Sequence, residues 1–215
     1  MSAEPGASAV DEDIPIPSVG LILLAAGASQ RMAGQSKQLL IYEGESLVRR
    51  AAKTALASLC RPVIVVTGAN REKIEAKIAD LPLYIVANED WETGMASSIR
   101  TGIEHLIVTA ETSATVVMLC DQPLVDEMLI NRLIDKYRTT GAPLVAAKYN
   151  ETHGVPALFD KRLYPSLLAL TGLQGAKIII IDHSADLAEI PVPAAAFDID
   201  TLADYVQLVD NQRSW

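Results

Sequence analysis

Cysteine is scarce: Cys60 and Cys120 are the two in 215 residues, each beside an apolar run. Two such residues make neither a disulfide framework nor a zinc-ligand spacing, so both read as buried free thiols of a cytoplasmic chain. Basic charge is also in deficit. Eighteen Lys and Arg against 27 Asp and Glu leave a net charge of −9. That excludes a broad basic surface for nucleic acid or an anionic membrane, while leaving room for a small local basic site. No apolar run reaches transmembrane length. The opening residues, MSAEPGASAVDEDIPIPS, hold four carboxylates and three prolines but no basic start and no apolar stretch. They lack the pattern of a signal peptide. Residues 1–18 read as a flexible tail and 19–215 as one domain. Histidine is limited to His105, His153 and His183. No two of them have metal-ligand spacing, and no Ser-His-Asp or Cys-His arrangement emerges.

What the chain does have is apolar content, 50% of its residues, arranged in alternating strand-sized and helix-sized segments. Val19–Ala26, Pro62–Thr67, Leu83–Ala87, Thr115–Leu119 and Pro143–Ala147 read as strands. Gly154–Phe159 is a further strand, which Pro156 assigns to an edge or irregular position. Helices are expected over Ser46–Leu59 (Leu47, Ala51, Ala55 and Leu59 on one face), Arg71–Ala79, Met95–Ile107, and Asp126–Tyr137 with Asp126 as N-cap. Later helices are expected near Lys161–Leu170, from Gly175, and over Thr201–Val209, the last preceded by a strand-like Phe197–Ile199. The early strands are apolar throughout, so the fold class is α/β, a mostly parallel sheet with helices on both faces. Such sheets bind ligands beyond the carboxyl ends of their strands.

The stretch LILLAAGASQRMAGQSKQLL, residues 21–40, lies at such an end. Its small-residue loop, Ala25–Ser29, lets backbone N–H groups approach an anion, with Gly27 free to take dihedrals closed to other residues. Arg31 and Lys37 add positive charge suited to a polyphosphate. The spacing is neither a P-loop nor G-x-G-x-x-G. On the residues alone, a tight turn without ligand and solvated basic side chains account for it equally well. Asp121, in Cys-Asp-Gln-Pro, ends an apolar strand where one carboxylate can serve Mg²⁺, or where it caps a turn. A second carboxylate is available in Asp198 or Asp200; alternation lets one of them face the site, with Asp200 the candidate cap for the last helix. Ser97 and Ser98 at a helix start can serve a nucleotide or simple capping, and His153 can line an acceptor pocket.

Taken in order, LAAGASQRM, KQLL, VVTGAN, NEDWETGMASSIRTGI, CDQPLV, HGVPALF and FDIDTLADY resemble the molybdopterin nucleotidyltransferases, over Leu21 to about Val209. The chain is most similar to the molybdenum cofactor cytidylyltransferase branch. The resemblance implies a single Rossmann-like nucleotidyltransferase domain. Leu24, Ala25, Ala26, Gly27 and Ser29 would surround the NTP, with Thr67, Asn88, Gly94, Ser97 and Ser98 on the nucleotide side. Arg31, Lys37 and Asp121 are the implied catalytic residues, and Asp121 with Asp198 or Asp200 would hold Mg²⁺. His153, Gly154 and Pro156 would face the acceptor. The Leu-Ala-Ala-Gly form is associated more with CTP than with GTP. The expected partners are CTP, a phosphorylated acceptor such as molybdopterin cofactor, and a molybdenum enzyme as recipient; no nucleic acid or membrane is expected. The alternatives are a sugar-phosphate or alditol-phosphate acceptor, or a carrier that binds without catalysis. Departures from the family pattern are one extra residue between Met32 and Lys37, Leu173 where an aspartate is usual, and Gly154-Val155-Pro156 in place of Gly-His-Pro.

Overall fold

Val19–Leu24, five apolar residues and Gly20 without a polar side chain among them, can be buried on both sides only inside a covered parallel layer, and all six are buried. The computed structural model describes residues 18–32 and 34–212. In it β1 (Val19–Leu24) lies between β4 (Val63–Thr67) and β6 (Ala114–Leu119), parallel to both. β5 (Tyr84–Ala87) extends the parallel run beyond β4. On the other side β8 (Thr152–Asp160) runs antiparallel to β6 and to β7 (Leu144–Tyr149). β9 (Leu187–Pro191) closes that edge, parallel to β7. The order is β5-β4-β1-β6-β8-β7-β9. The chain moves outward from β1 to β4 and β5, then returns to its other side at β6, which opens a crevice at the carboxyl ends of β1 and β6.

Alternation along β1 divides the core. Leu21 and Leu23 pack with α1 (Leu47–Ala57) and α4 (Glu127–Thr140) on one face. Ile22 and Leu24 pack with α3 (Met95–Thr109), α5 (Tyr164–Leu168) and α6 (Ala176–Asp182) on the other. A smaller cluster decides where the ends of the chain meet. Met32 from the loop after β1, Leu40, Tyr42, Leu47, Ile199 and Leu208 are buried together. They join that loop, the hairpin β2 (Ile41–Tyr42) and β3 (Glu45–Ser46), and α7 (Leu202–Gln212).

Several expectations are corrected here. α1 stops at Ala57, where the Ser58 hydroxyl donates to the Ala55 carbonyl, so Leu59 leaves the buried stripe and is 63% exposed. α2 is a short helix, Arg71–Glu75. β8 is interior, so of the edge and irregular positions expected for Pro156 the irregular one is found. Pro156 is accommodated because the β7–β8 register slips between Ala146 and Ala147, leaving Val155 and Pro156 outside the pairing. β9 has five residues and β2 and β3 two each, too short for a strand period to stand out. Phe197–Ile199 is not a strand, and Asp200 does not cap α7. Thr201 and Asp204 form a reciprocal capping box instead: Asp204 accepts from the Thr201 N–H at 2.8 Å, while Thr201 Oγ1 accepts from the Asp204 N–H at 3.3 Å. Asp126 caps α4, accepting from the Leu129 N–H at 2.8 Å. The tail lies outside the described residues except for Ser18, whose carbonyl accepts from Ser113 at 2.7 Å. Among the described residues no helix is long and apolar enough to cross a membrane.

Candidate active site

The loop after β1 is shaped from beneath by a residue without an assigned role in the sequence reading. Gln38, 1% exposed, donates from Nε2 to the carbonyls of Gly27 at 2.7 Å and Ala25 at 3.3 Å. The left-handed residue of the loop is Ser29 (φ 57°) and not Gly27. Its hydroxyl compensates, donating to Gln38 Oε1 at 3.0 Å and accepting the Lys37 N–H at 3.0 Å. Among the described residues, the N–H groups of Gly27, Ala28 and Ser29 have no protein acceptor. A run of free N–H groups in a concave turn is a ready anion cradle.

The same bracing aims Lys37. Its ammonium donates to Asp121 Oδ2 and, at 3.3 Å, to Asp200 Oδ1, while Arg31 reaches Asp200 at 3.0 Å. Burial would depress the Lys37 pKa, but attraction and hydrogen bonding to Asp121 outweigh it and the value is raised. Lys37 is therefore a fixed cation beside buried Asp121. Arg31, with 69% of its side chain exposed, stands at the rim. Asp121 sits just past β6, held by the Ile199 N–H on its carbonyl at 2.9 Å. The neighbouring Gln122 donates to the carbonyls of Val155 and Ala195, both at 3.1 Å. One residue pair thus joins β6, the β8 bulge and the 195–199 segment.

Asp198 is open to solvent along its edge, yet its carboxyl is pushed up to about 6. The protein walls that reduce its hydration are the first cause, and the Asp121 charge is the second. Asp121 Oδ1 is buried without a partner. A carboxylate oxygen left orphaned beside further carboxylates fits a divalent cation. Among the described residues no group of three or more His, Cys, Asp or Glu is arranged to hold a metal by itself. That suits an ion which takes one or two carboxylates and fills its shell with water and phosphate. Cys120 is buried and its thiol is pushed up to about 12, by burial first and by Asp121 second, so it offers no thiolate.

Opposite stands the start of α3. Gly94 (φ 117°) lies against the turn at Gly172, whose carbonyl accepts the Ala96 N–H at 3.2 Å. A Cβ on Gly94 would come within 2.3 Å of that carbonyl oxygen. Between these walls lies a cavity of about 750 Å³ lined by Leu24, Ala26, Gly27, Ser29, Arg31, Lys37, Gly94, Ser98, Asp121 and Asp200, with Trp91, Met95 and Leu173 at its apolar side.

Other residues expected at the nucleotide lie behind this wall. Ala25 is buried in the core. Thr67 donates to Glu75 at 2.9 Å. Asn88 donates to the hydroxyls of Ser97 and Ser98 at 2.8 and 3.0 Å, and Ser97 turns back to the carbonyls of Asp90 and Gly94. These residues hold the wall and do not form it. The acceptor-side expectations change most. His153 points to the outer face, where Nε2 meets Glu189 at 2.7 Å, because strand alternation sends it away from its neighbour Gly154. Gly154 and Pro156 are buried. Gln38, Gln122 and the apolar trio Trp91, Met95 and Leu173 lacked assigned roles. Polar glutamines that each follow a functional charged residue were the available signal.

The MobA-like NTP transferase domain family matches residues 21–187 of this chain. Nicotine blue oxidoreductase of Paenarthrobacter nicotinovorans is 31% identical over 208 residues, which span 92% of this chain and 99% of that protein. Molybdenum cofactor guanylyltransferase of Vibrio cholerae is 25% identical over 189 residues, 86% of this chain and 89% of its own length. Rv0371c of Mycobacterium tuberculosis H37Rv superposes with a TM-score of 0.79 at 27% identity, over 90% of this chain and 98% of that one. Its complex with manganese gives a TM-score of 0.73 at 25% identity, again over 90% and 98%.

Proposed function

This chain belongs to the MobA-like NTP transferases, and we propose that it moves CMP from CTP onto the phosphate of a molybdopterin-type molybdenum cofactor. Nucleotidyl transfer is the activity of the family. The observation that carries the finer reading is the presence of two features on one cavity: the N–H cradle at Gly27–Ser29, and the Lys37–Asp121 pair at the end of β6. The first suits phosphates. The second supplies a fixed cation and a carboxylate with an unused oxygen.

In this reading an oxygen of the acceptor's phosphate forms a new bond to the α-phosphorus of CTP. The bond from that phosphorus to the bridging oxygen breaks, and pyrophosphate leaves with the electron pair. A phosphate monoester is already ionised near neutrality, so no protein base is required. Lys37 and Arg31 stabilise the charge gathering on the leaving pyrophosphate, and the loop N–H groups hold the chain of phosphates in line. Asp121, with Asp198 or Asp200, would hold Mg²⁺, which when bound offsets negative charge on the phosphate oxygens. The choice of CTP rests on the Leu-Ala-Ala-Gly form, whose second alanine, Ala26, lines the cavity.

The test is pyrophosphate release with Mg²⁺ and each of CTP, GTP, ATP and UTP, with and without molybdenum-loaded molybdopterin. Release with CTP that requires the cofactor is expected. Preference for GTP would move the chain to the guanylyl branch. Release only with a sugar phosphate or alditol phosphate would replace the acceptor.

The 31% identity to nicotine blue oxidoreductase over nearly the whole chain favours one second reading, a reductase on the same fold. Oxidation of NADH or NADPH in the presence of a dye, without pyrophosphate release from any NTP, would establish that reading instead.

A further inference from the structure

Tyr149 is the last residue of β7 and has no role in the reading above. It is half-buried, and its ring packs on the core beneath α4. Its hydroxyl lies beside Gly154, and the next residue, Val155, has its carbonyl held at 3.1 Å by Gln122, the neighbour of Asp121. What fixes it there is Gly154 on the facing strand. A Cβ at position 154 would stand 2.1 Å from the phenol oxygen and 2.9 Å from the ring carbon that bears it. Gly154 is not in a left-handed conformation, so the backbone does not require glycine. The space for Tyr149 does.

Among the described residues the phenol has no hydrogen-bond partner. His153 is turned outward onto Glu189, and Val155 is apolar. Tyr149 is therefore a free donor on the β7–β8 side, among the described residues. We propose that the Tyr149 hydroxyl, held in place by the absence of a side chain at Gly154, donates a hydrogen bond to the phosphate of the acceptor as it approaches Asp121. This rests on the reading that the acceptor is a phosphate monoester. A phenol is protonated near neutrality, so it stays a donor there. A neutral donor suits this wall, where a carboxylate would repel an incoming anion.

The experiment uses the full chain loaded with Mg²⁺ and a non-hydrolysable CTP analogue, titrated calorimetrically with methyl phosphate as an isolated phosphate monoester. Tyr149→Phe keeps the ring and removes the donor. Gly154→Ala keeps the donor and displaces it. Each is expected to weaken methyl phosphate binding about tenfold, the factor that 1.4 kcal/mol represents. The double variant is expected to be no worse than the weaker single one, and affinity for the CTP analogue to stay unchanged throughout. Equal methyl phosphate affinity in the parent and Tyr149→Phe, no binding to the parent, or additive losses would overturn the assignment. Pyrophosphate release is measured in parallel. Its absence from the parent, with Tyr149-dependent phosphate binding intact, would sink nucleotidyl transfer and leave the phosphate contact standing.

Discussion

The two halves of the sheet are built differently. On one side β5, β4, β1 and β6 are all parallel, and the loops that leave their carboxyl ends carry Gly27, Lys37 and Asp121 as short contiguous motifs. On the other side β8 is antiparallel and bulged, and the residues that matter come from four separated segments: Tyr149, Gly154, Leu173 and the run through Asp200. A parallel half places its site by a simple rule, since every strand end points the same way. An antiparallel insertion breaks that rule, so its contribution is set by register, bulge and packing. On the proposed reading, the first half serves the nucleotide and the second distinguishes the acceptor.

The largest effect should come from the first half. Asp121→Ala is expected to lower turnover by about 10²–10³-fold with the fold intact, the loss typical of removing one preorganised electrostatic element. A parent-like rate in that variant would detach Asp121 from the chemistry and erase the contrast. Lys37→Met removes the cation that separates Asp121 from Asp200. Breaking a pair this buried should destabilise the protein by about 3 kcal/mol, read from denaturant unfolding, and added Mg²⁺ should recover part of the loss. A variant insensitive to Mg²⁺ would argue against a metal at these carboxylates.

Gly94→Ala probes the seam between the halves. Its φ of 117° and the Gly172 carbonyl beneath it leave no room for a methyl group. A cost of roughly 1–3 kcal/mol is expected, with the KM for nucleotide raised by displacement of the 171–175 turn. Unaltered melting and KM would show that the turn yields freely.

Asp160, at the opposite end of β8 from the site, should separate stability from function. Burial alone would raise its pKa, but hydrogen bonds from the Arg162 side chain and backbone and from Tyr137 hold it below the usual carboxylate range. Its contribution is therefore fully present above the unfolded value near 3.8 and fades as pH falls through the folded one. Asp160→Asn should cost about 1–2 kcal/mol at neutral pH, flatten the acid limb of the stability curve, and leave kcat/KM unchanged. The smallest effect belongs to Leu173→Asp. At 88% exposure the change should alter stability by less than about 0.5 kcal/mol, so any effect on acceptor KM would be specific to the rim.

Much of the first half was legible because its logic is local. A doubly buried strand, a small-residue loop and a nearby lysine occur within twenty residues, and Asp121 ends a strand that the apolar pattern marks. The second half was not. His153 and Gly154 are neighbours in sequence but face opposite ways, and the slip at Val155-Pro156 changes which side each residue presents. Gln38 and Gln122 are not legible in the sequence, because buried amides bonded to backbone carbonyls leave no periodic trace. Asp200 looked like a cap because it precedes a helix, yet Thr201 and Asp204 satisfy that helix end themselves and release Asp200 to Arg31 and Lys37.

By itself the sequence determined the layer architecture, since strands apolar on both faces must lie between helices, and it marked the strand ends where charge collects. Only the tertiary structure decided which charges meet. Asp121 and Asp200 reach one ammonium because Met32 and Ile199 are buried in the same small cluster. Apolar packing between distant segments, which no local pattern encodes, draws the carboxylates to the lysine.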